Sequence, residues 1–213
     1  MFCGINTKFF IVGYSTLKYS EKYIVSVSHH ILSFYFQETL QEFGSVFWCD
    51  IGMRFTNASI KSHLYAPALS TGMVVWPRDN YPTSAFTHPK LYRHFNTNQS
   101  NYFFQQMVYP VPGLFINTEK LHNSVMMPWI KCVAHKPCLS PKGAQYFGCQ
   151  KNVRPKFKYT GCHRYSISAL NVVLGQTYES ERSYSVGQDL FTLLPERPRS
   201  VAESIKNLAA SIY

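Results

Sequence analysis

Asp50 is the first residue of this sequence whose type and position could do ligand chemistry, because it directly follows the apolar run 46–49. Four consecutive apolar residues are typical of a strand buried on both faces. In α/β sheets, ligands bind beyond the carboxyl ends of such strands, where a carboxylate can hold a divalent cation or ribose hydroxyls. The structural alternative for Asp50 is a helix cap or an ion pair with Arg54.

A second candidate site is the pair His163 and Arg164, which precedes the apolar segment 166–178. The spacing of that segment predicts a helix. Free N–H groups and the helix dipole favour anions at a helix N-terminus, so the pair could border an anion site. The alternative is a surface histidine beside an arginine that pairs with a carboxylate. Asn171, inside the helix, needs partners if buried, and either bonds a neighbouring loop or faces a cleft.

The 213-residue chain carries 21 lysine and arginine residues against 11 acidic residues, a formal net charge of +10. Such an excess suits nucleic acid, anionic lipid, acidic glycan or phosphorylated ligands. Its densest part, 151–164, is either a solvated basic loop or a groove for phosphates or acidic sugars. Basic and aromatic residues alternate there: Lys151, Arg154, Lys156, Phe157, Lys158, Tyr159 and Arg164.

Several motifs are absent from the sequence. Zinc-finger spacing and RNP-like sequences do not occur, so we predict no nucleic-acid partner. The motifs GxSxG, HExxH, GxxxxGK[ST] and GxGxxG are missing too. Their absence argues against an α/β-hydrolase, a zinc protease, a P-loop NTPase and a Rossmann dehydrogenase.

Four of the six cysteines lie between positions 132 and 162, on loops rich in Pro and Gly. They predict two disulfides formed in an oxidising compartment, with three pairings possible. A zinc site is the alternative, but its ligands usually come in pairs separated by two to four residues. The gaps here are five, ten and twelve residues, and the four cysteines are Cys132, Cys138, Cys149 and Cys162. Cys49, within the apolar run, is predicted to be a buried thiol.

Two N-glycosylation sequons, at Asn57 and Asn98, also favour secretion. Residues 1–19 lack the basic region and the cleavage site of a signal peptide. No apolar run reaches the roughly 18–20 residues of a membrane span. For a secretory protein without these segments, we expect either that the N-terminal part is incomplete or that an anchor has been lost.

The order of elements predicts an α/β domain over 30–178, with an N-terminal segment 1–29 and a polar tail 179–213. The tail is expected to have low order and one short amphipathic helix. Predicted strands cover 8–15, 46–49, 72–77 and 114–116. Predicted helices cover 30–43 (ended by Gly44), 87–95 (capped by Thr87), a segment capped by Asn117 or Thr118, and a segment opened by Ser166 or Ser168.

Four segments together resemble an uncharacterised family of animal proteins, abundant in nematodes, that is similar to GT-A-fold glycosyltransferases. They are EFGSVFWCDIGMRF (42–55), PVPGLFINTEKL (110–121), MPWIKCVAHKPCLSPKGA (127–144) and GCHRYSISALNVVL (161–174). The resemblance implies a GT-A-like mixed sheet flanked by helices, in a type II membrane protein of the Golgi lumen or the extracellular space. It also implies a nucleotide-sugar donor, a glycan acceptor and Mn²⁺ or Mg²⁺. The family's membrane anchor has no counterpart in this chain.

The resemblance assigns roles to particular residues. Asp50 would hold the cation on the diphosphate, and Asp50, His163 and Arg164 would form the catalytic group. The nucleotide-sugar would contact Arg54, Lys158 and Asn171.

After His-Arg-Tyr the family pattern continues Asp-Gln-Ser-Ala-Leu-Asn, whereas this chain has Ser166 and Ile167 in place of the acid and the amide. A serine hydroxyl cannot act as a carboxylate base at neutral pH. The resemblance thus implies a glycosyltransferase-like protein with impaired catalysis, or a non-enzymatic paralogue that binds glycans or proteins. A third interpretation, from the residues alone, is a secreted basic disulfide protein that binds acidic polysaccharide through 151–164.

Overall fold

The computed structural model describes residues 36–49, 53–55, 60–150, 152–186 and 191–193. Its strands are β1 (Ser45–Trp48), β2 (Met53–Phe55), β3 (Met73–Pro82), β4 (Gln106–Ile116) and β5 (Phe191–Leu193). Its helices are α1 (36–43), α2 (Ile60–Thr71), α3 (Pro89–His94), α4 (Glu119–Leu121), α5 (Met127–Ala134), α6 (Lys136–Leu139) and α7 (Ser166–Thr177). A π-helical turn, His122–Met126, joins α4 to α5, and 3₁₀ turns occupy Thr83–Phe86, Gln99–Tyr102 and Glu181–Ser183.

The main sheet has the strand order β1-β4-β3, and β4 runs antiparallel to both neighbours. The strands β2 and β5 form a second antiparallel pair. We expected a mixed sheet, but among the described strands the one parallel contact is the isolated bridge between Val75 and Ser185. The strands β1 and β3 run in the same direction, since β4 is antiparallel to both. They are not paired with each other, because β4 lies between them. The molecule is therefore an α/β protein with an open antiparallel sheet.

Both faces of this sheet are covered by helices, which explains the continuous apolar run in β1. Val46 and Trp48 pack with α1, α5 and α7 in the main core. Phe47 and Cys49 point to the opposite face, where they pack with Leu64 and Ala68 of α2. The prediction of a strand buried on both faces is confirmed.

Glycines end two helices at positions that other residues would not tolerate. Gly44 adopts a φ of +72°, and its N–H bonds Leu40 O, so α1 ends where the sequence predicted. Gly72, with a φ of +85°, turns the chain from α2 into β3. A Cβ atom there would lie 2.6 Å from Leu121 Cβ, so this turn is also packed against α4.

The helix through α4 and α5 matches its predicted core pattern. Thr118 is its cap, since its Oγ1 accepts a hydrogen bond from Leu121 N at 3.1 Å. The π-helical turn lies directly before Pro128, so the proline sits at a local irregularity and the helix continues. The six residues predicted at core spacing are all buried: Leu121, Val125, Met126, Trp129, Ile130 and Val133.

Four predictions about elements differ from the structure. The helix α2 was not predicted, β3 continues past Pro77 to Pro82, and β4 begins eight residues earlier than expected, at Gln106. The N-cap of α3 is His88, whose Nδ1 accepts from Lys90 N, rather than Thr87. The predicted strand 8–15 lies outside the described residues.

Residues beyond 178 also contribute to the fold. Tyr184 is buried in the main core and packs against Tyr178. Val75 N donates to Tyr184 O, and Val186 N donates to Val75 O, so this segment lies along β3. Part of the tail that we expected to have low order is thus bound to the sheet.

Candidate functional site

The four clustered cysteines form two disulfides, Cys132–Cys138 and Cys149–Cys162. The first links α5 to α6, and the second closes the loop that carries most of the basic segment. Cys49 is a buried cysteine outside both bridges. Two disulfides indicate an oxidising, secreted or lumenal environment.

The Cys149–Cys162 loop is attached to the 3₁₀ turn Thr83–Phe86 by several backbone contacts. Thr160 N and its Oγ1 both donate to Ala85 O, and Ser84 Oγ donates to Phe157 O at 2.8 Å. Arg164 N donates to Phe86 O. These bonds hold the basic segment in one place against the end of the sheet.

His163 is fully buried, and both nitrogens of its ring are engaged. Nδ1 accepts a hydrogen bond from His88 N at 3.2 Å, and Nε2 lies 3.0 Å from Leu139 O. The first contact requires an unprotonated Nδ1, so the ring is neutral with its hydrogen on Nε2, which donates to Leu139 O. Burial lowers the pKa of His163 to about 4, against the opposing effect of the Leu139 carbonyl. In this arrangement the imidazole joins the segments around residues 88, 139 and 163.

Arg164 is half-buried between two aromatic rings. Its guanidinium carbon lies 4.5 Å from the centre of the Tyr146 ring and 4.9 Å from that of Phe86. Its Nη1 donates to Tyr146 O at 3.5 Å, whereas its Nε has no hydrogen-bond partner. The side chain is thus a fixed cation with spare donor capacity.

Ser166, at the position of the expected acid, is buried at the start of α7. Its carbonyl oxygen accepts the indole N–H of Trp129 at 2.8 Å, which connects α7 to α5. Tyr165, with a φ of +47°, stands at the N-cap of this helix.

Asn171 is completely buried and bonded to the backbone of β4. Its Oδ1 accepts from Val108 N at 2.9 Å, and its Nδ2 donates to Val108 O at 2.7 Å. Nδ2 also donates to Ile167 O one turn earlier in α7. The amide pairs with β4 as the backbone of a neighbouring strand would, and its partner is a strand where we expected a loop or a cleft.

The remaining predicted site residues are described only in part. Asp50 and Asn57 lie outside the described residues, and of Arg54 the structure gives the strand position, opposite Thr192 of β5. Lys158 is exposed on the loop between Cys149 and Cys162, here called the basic loop. Asn98 is exposed at the start of a 3₁₀ turn. Within the described part of the chain, no three His, Cys, Asp or Glu side chains are placed to hold a metal ion.

An open groove of about 310 Å³ lies where β3 ends and β4 begins. Because β1 and β3 share a direction, this is the edge of the sheet to which the carboxyl ends of both strands point. The groove, here called the aromatic groove, is lined by Asn80, Tyr81, Pro82, Phe103, Phe104 and Gln106.

Two side chains of the basic loop contact residues that line this groove. The Phe157 ring stacks on Phe103, with 4.4 Å between ring centres, and Lys156 Nζ lies 5.8 Å from the centre of the Tyr81 ring. Tyr81 in turn packs against Phe86, and the guanidinium of Arg164 lies over the Phe86 ring. Contacts between rings and cations therefore connect the groove to Arg164 through the buried Phe86 ring.

Sequence reasoning did not find the aromatic groove, although a signal existed. Phe103 and Phe104 are adjacent aromatic residues inside the polar segment 96–106. Two large apolar neighbours in a polar loop cannot both be buried by a simple turn, so one of them is expected at the surface.

Comparison with protein-family models, with curated proteins and with solved structures finds no match. Among the described helices, none has the length and apolar character needed to cross a bilayer. The function must therefore be argued from the site itself.

Proposed function

We propose that this chain is a glycosyltransferase-like protein of the secretory pathway that binds a glycan and transfers no sugar. The observation that carries this proposal is the structural role of His163, a residue that the resemblance assigns to the catalytic group. Its ring is buried, neutral and bonded at both nitrogens. A proton-transfer group must reach its substrate, and this ring reaches backbone atoms instead.

Two neighbouring observations support the same proposal. Ser166 replaces the acid of the family pattern, and the side-chain amide of Asn171 is hydrogen-bonded to the backbone of β4. The motif that would surround a sugar donor thus joins α7 to the rest of the fold. The exposed basic and aromatic side chains near this motif are not used in such contacts, and we propose that they bind the glycan. We place this activity in the Golgi lumen or outside the cell, in keeping with the two disulfides.

The test is a panel of neutral and acidic oligosaccharides presented to the disulfide-bonded chain at physiological ionic strength. We expect binding to at least one class of glycan, and no thermal stabilisation by UDP-sugars with Mn²⁺. Absence of binding to every oligosaccharide in the panel contradicts the proposal.

A second candidate function is sugar transfer itself, with Asp50 holding Mn²⁺ or Mg²⁺ and Arg54, Lys158 and Arg164 contacting the donor diphosphate. Two observations favour it: β1 is buried on both faces up to Cys49, and Arg164 Nε has no hydrogen-bond partner. A fixed guanidinium can offset the charge of a leaving diphosphate.

The two candidates give opposite results with a sugar donor. A transferase predicts a Mn²⁺-dependent thermal shift with a UDP-sugar that Asp50→Ala abolishes, and donor hydrolysis that rises in Ser166→Asp/Ile167→Gln. The glycan-binding proposal predicts no donor shift and no hydrolysis in either form. Because Ser166 is buried, the folding of the double variant is checked first by its thermal midpoint.

A further inference from the structure

The aromatic groove combines one exposed aromatic ring, Phe104, with two partly buried rings, Tyr81 and Phe103. The Phe104 side chain is 87% exposed, more than the other exposed large apolar side chains of the described residues. Its neighbour Gln105 donates to Asn171 O and contacts Tyr184 Oη, and Gln105 O accepts from Thr83 N. The backbone on the C-terminal side of Phe104 is therefore anchored in the core while its ring is held in solvent. Contiguous apolar surface beside polar residues is typical of ligand-binding grooves, and the Phe104 ring lies next to Phe103 and Tyr81 in such a groove.

The groove also contains polar groups suited to hydroxyls. Gln106 and Asn80 line it, and Gln106 Nε2 donates to Asn80 Oδ1 at 3.5 Å. Each amide has both donors and acceptors. Aromatic faces beside amide groups match a sugar ring, which has apolar C–H faces and hydroxyls at its rim.

The positive charge of the chain is concentrated in its central part. Residues 80–178 contain eleven lysines and arginines and one acid, Glu119, whereas the other 114 residues contain ten of each sign. This part of the sequence includes the lining residues of the groove and the basic loop, whose Lys156 Nζ lies 5.8 Å from the centre of the Tyr81 ring. The exposed cations nearest to it on the basic loop are Arg154, Lys156 and Lys158.

We propose that the aromatic groove binds an acidic oligosaccharide, with sugar rings on Phe104, Phe103 and Tyr81 and the carboxylate or sulfate groups against Lys156 and its neighbours. This inference rests on the proposed glycan-binding function and names the site and the class of glycan. Charge complementarity selects an acidic chain, and the stacked rings distinguish a sugar from a simple polyanion.

The test is isothermal titration calorimetry with a heparin-derived hexasaccharide. We expect Phe104→Ala to lower the affinity about five- to tenfold and to leave the thermal midpoint unchanged, because the ring is exposed. The matched control is Phe147→Ala, which removes another exposed ring (64% exposed) outside the groove and should change the affinity less than about twofold.

A second pair of variants tests the charge. Lys156→Gln should lower the affinity about threefold and reduce its salt dependence. Lys136→Gln, on the exposed side of α6, should do neither. Neutral cellohexaose should bind more weakly than the hexasaccharide at low salt.

Several results would overturn the inference. Equal losses in Phe104→Ala and Phe147→Ala would remove the groove as the site, although hexasaccharide binding itself would leave the proposed function standing. Polyphosphate or oligouridylate binding as tightly as the hexasaccharide would show a general polyanion or nucleic-acid surface. A concentration-dependent dimer that Phe104→Ala dissociates would show that a second copy occupies the groove.

Discussion

His163 and Asn171 show how a functional-looking motif becomes structural. Both side chains are buried, and all their strong hydrogen-bonding groups meet backbone partners. Arg164 and Ser166 lie between them in the sequence but differ in exposure, since the arginine is half-buried beside aromatic rings. The same short segment therefore contains two side chains fixed by backbone hydrogen bonds and one half-buried cation.

Protonation of His163 should make the protein unstable in acid. The pKa of His163 falls to about 4 in the folded state, whereas an unfolded histidine titrates near 6.5. Below pH 6.5 the unfolded chain binds a proton that the folded chain does not, so the free energy of unfolding decreases as the pH falls towards 4. The total loss is about 3 kcal/mol, measurable by urea denaturation between pH 7 and 4.5.

The variant His163→Gln separates this effect from other titrations. Glutamine can still accept from His88 N or donate to Leu139 O, but it does not titrate, so the loss of stability below pH 6.5 should largely disappear. His88 faces His163 and its pKa is also lowered, by burial and by Lys90, so a smaller slope should remain. His94→Gln, at an exposed histidine, is the control. A wild-type stability that is flat from pH 6.5 to 4.5 would contradict the prediction.

Removal of the Asn171 amide should destabilise the protein by about 3 kcal/mol, because Asn171→Ala leaves Val108 N–H and Val108 C=O buried without partners. Urea denaturation at pH 7 measures the change. Gln176→Ala is the control on the same helix, since its amide donates to Phe95 O at an exposed position and should cost less than about 1 kcal/mol. A loss below that of the control would show that Asn171 is not the link between α7 and β4.

The elements of this fold are joined by connections that differ in reach. The helix α7 contacts β4 through Asn171 and α5 through Trp129, and both contacts join residues distant in sequence. The disulfides act more locally, since they span 6 and 13 residues. The Cys149–Cys162 disulfide closes the basic loop. The loop is also hydrogen-bonded to the turn at Thr83–Phe86.

The two disulfides should therefore differ in their effects. Chain entropy predicts a loss of about 3 kcal/mol for Cys149→Ala/Cys162→Ala and about 2 kcal/mol for Cys132→Ala/Cys138→Ala. Hexasaccharide affinity should fall roughly threefold to tenfold in the first variant, because loop order is lost, and should stay near wild type in the second. Equal affinities in the two variants would contradict this assignment.

The whole molecule combines two disulfides with a positive charge that is concentrated in one part of the sequence. Residues 80–178, which include the residues that line the groove, carry a formal charge equal to that of the whole chain. A basic surface on a disulfide-bonded protein meets acidic glycans in lumenal and extracellular spaces, which is consistent with the proposed function.

If the protein passes through the secretory pathway, Asn98 should be N-glycosylated. This residue is exposed at the start of a 3₁₀ turn, within the sequon Asn98-Gln99-Ser100. When the chain is expressed with a signal sequence, digestion with an N-glycosidase should lower its apparent mass, and Asn98→Gln should remove one step of that shift. Free thiols at the four clustered cysteines together with an unmodified Asn98 would contradict a lumenal location.

Local patterns predicted those features whose cause lies within a few residues. Gly44 ends α1 because only a left-handed turn fits there, Thr118 caps its helix, and the apolar run in β1 is buried on both faces. The helix α2 was not predicted because its sequence contains Pro67, which is unusual inside a helix, and because its apolar residues are not confined to one face. Pro77 appeared to end β3, but the strand continues through an irregular register opposite β4.

The sequence by itself determined the α/β class, the clustered disulfide cysteines and the excess of positive charge, because each depends on residue type and short spacing. Only the tertiary structure decided the antiparallel order β1-β4-β3, the pairing of the four cysteines and the burial of His163. It also decided that Phe104, Tyr81 and Lys156 share one groove, although they lie up to 75 positions apart in the sequence. Contacts between residues so far apart in the sequence depend on the topology of the fold, which no local sequence pattern specifies.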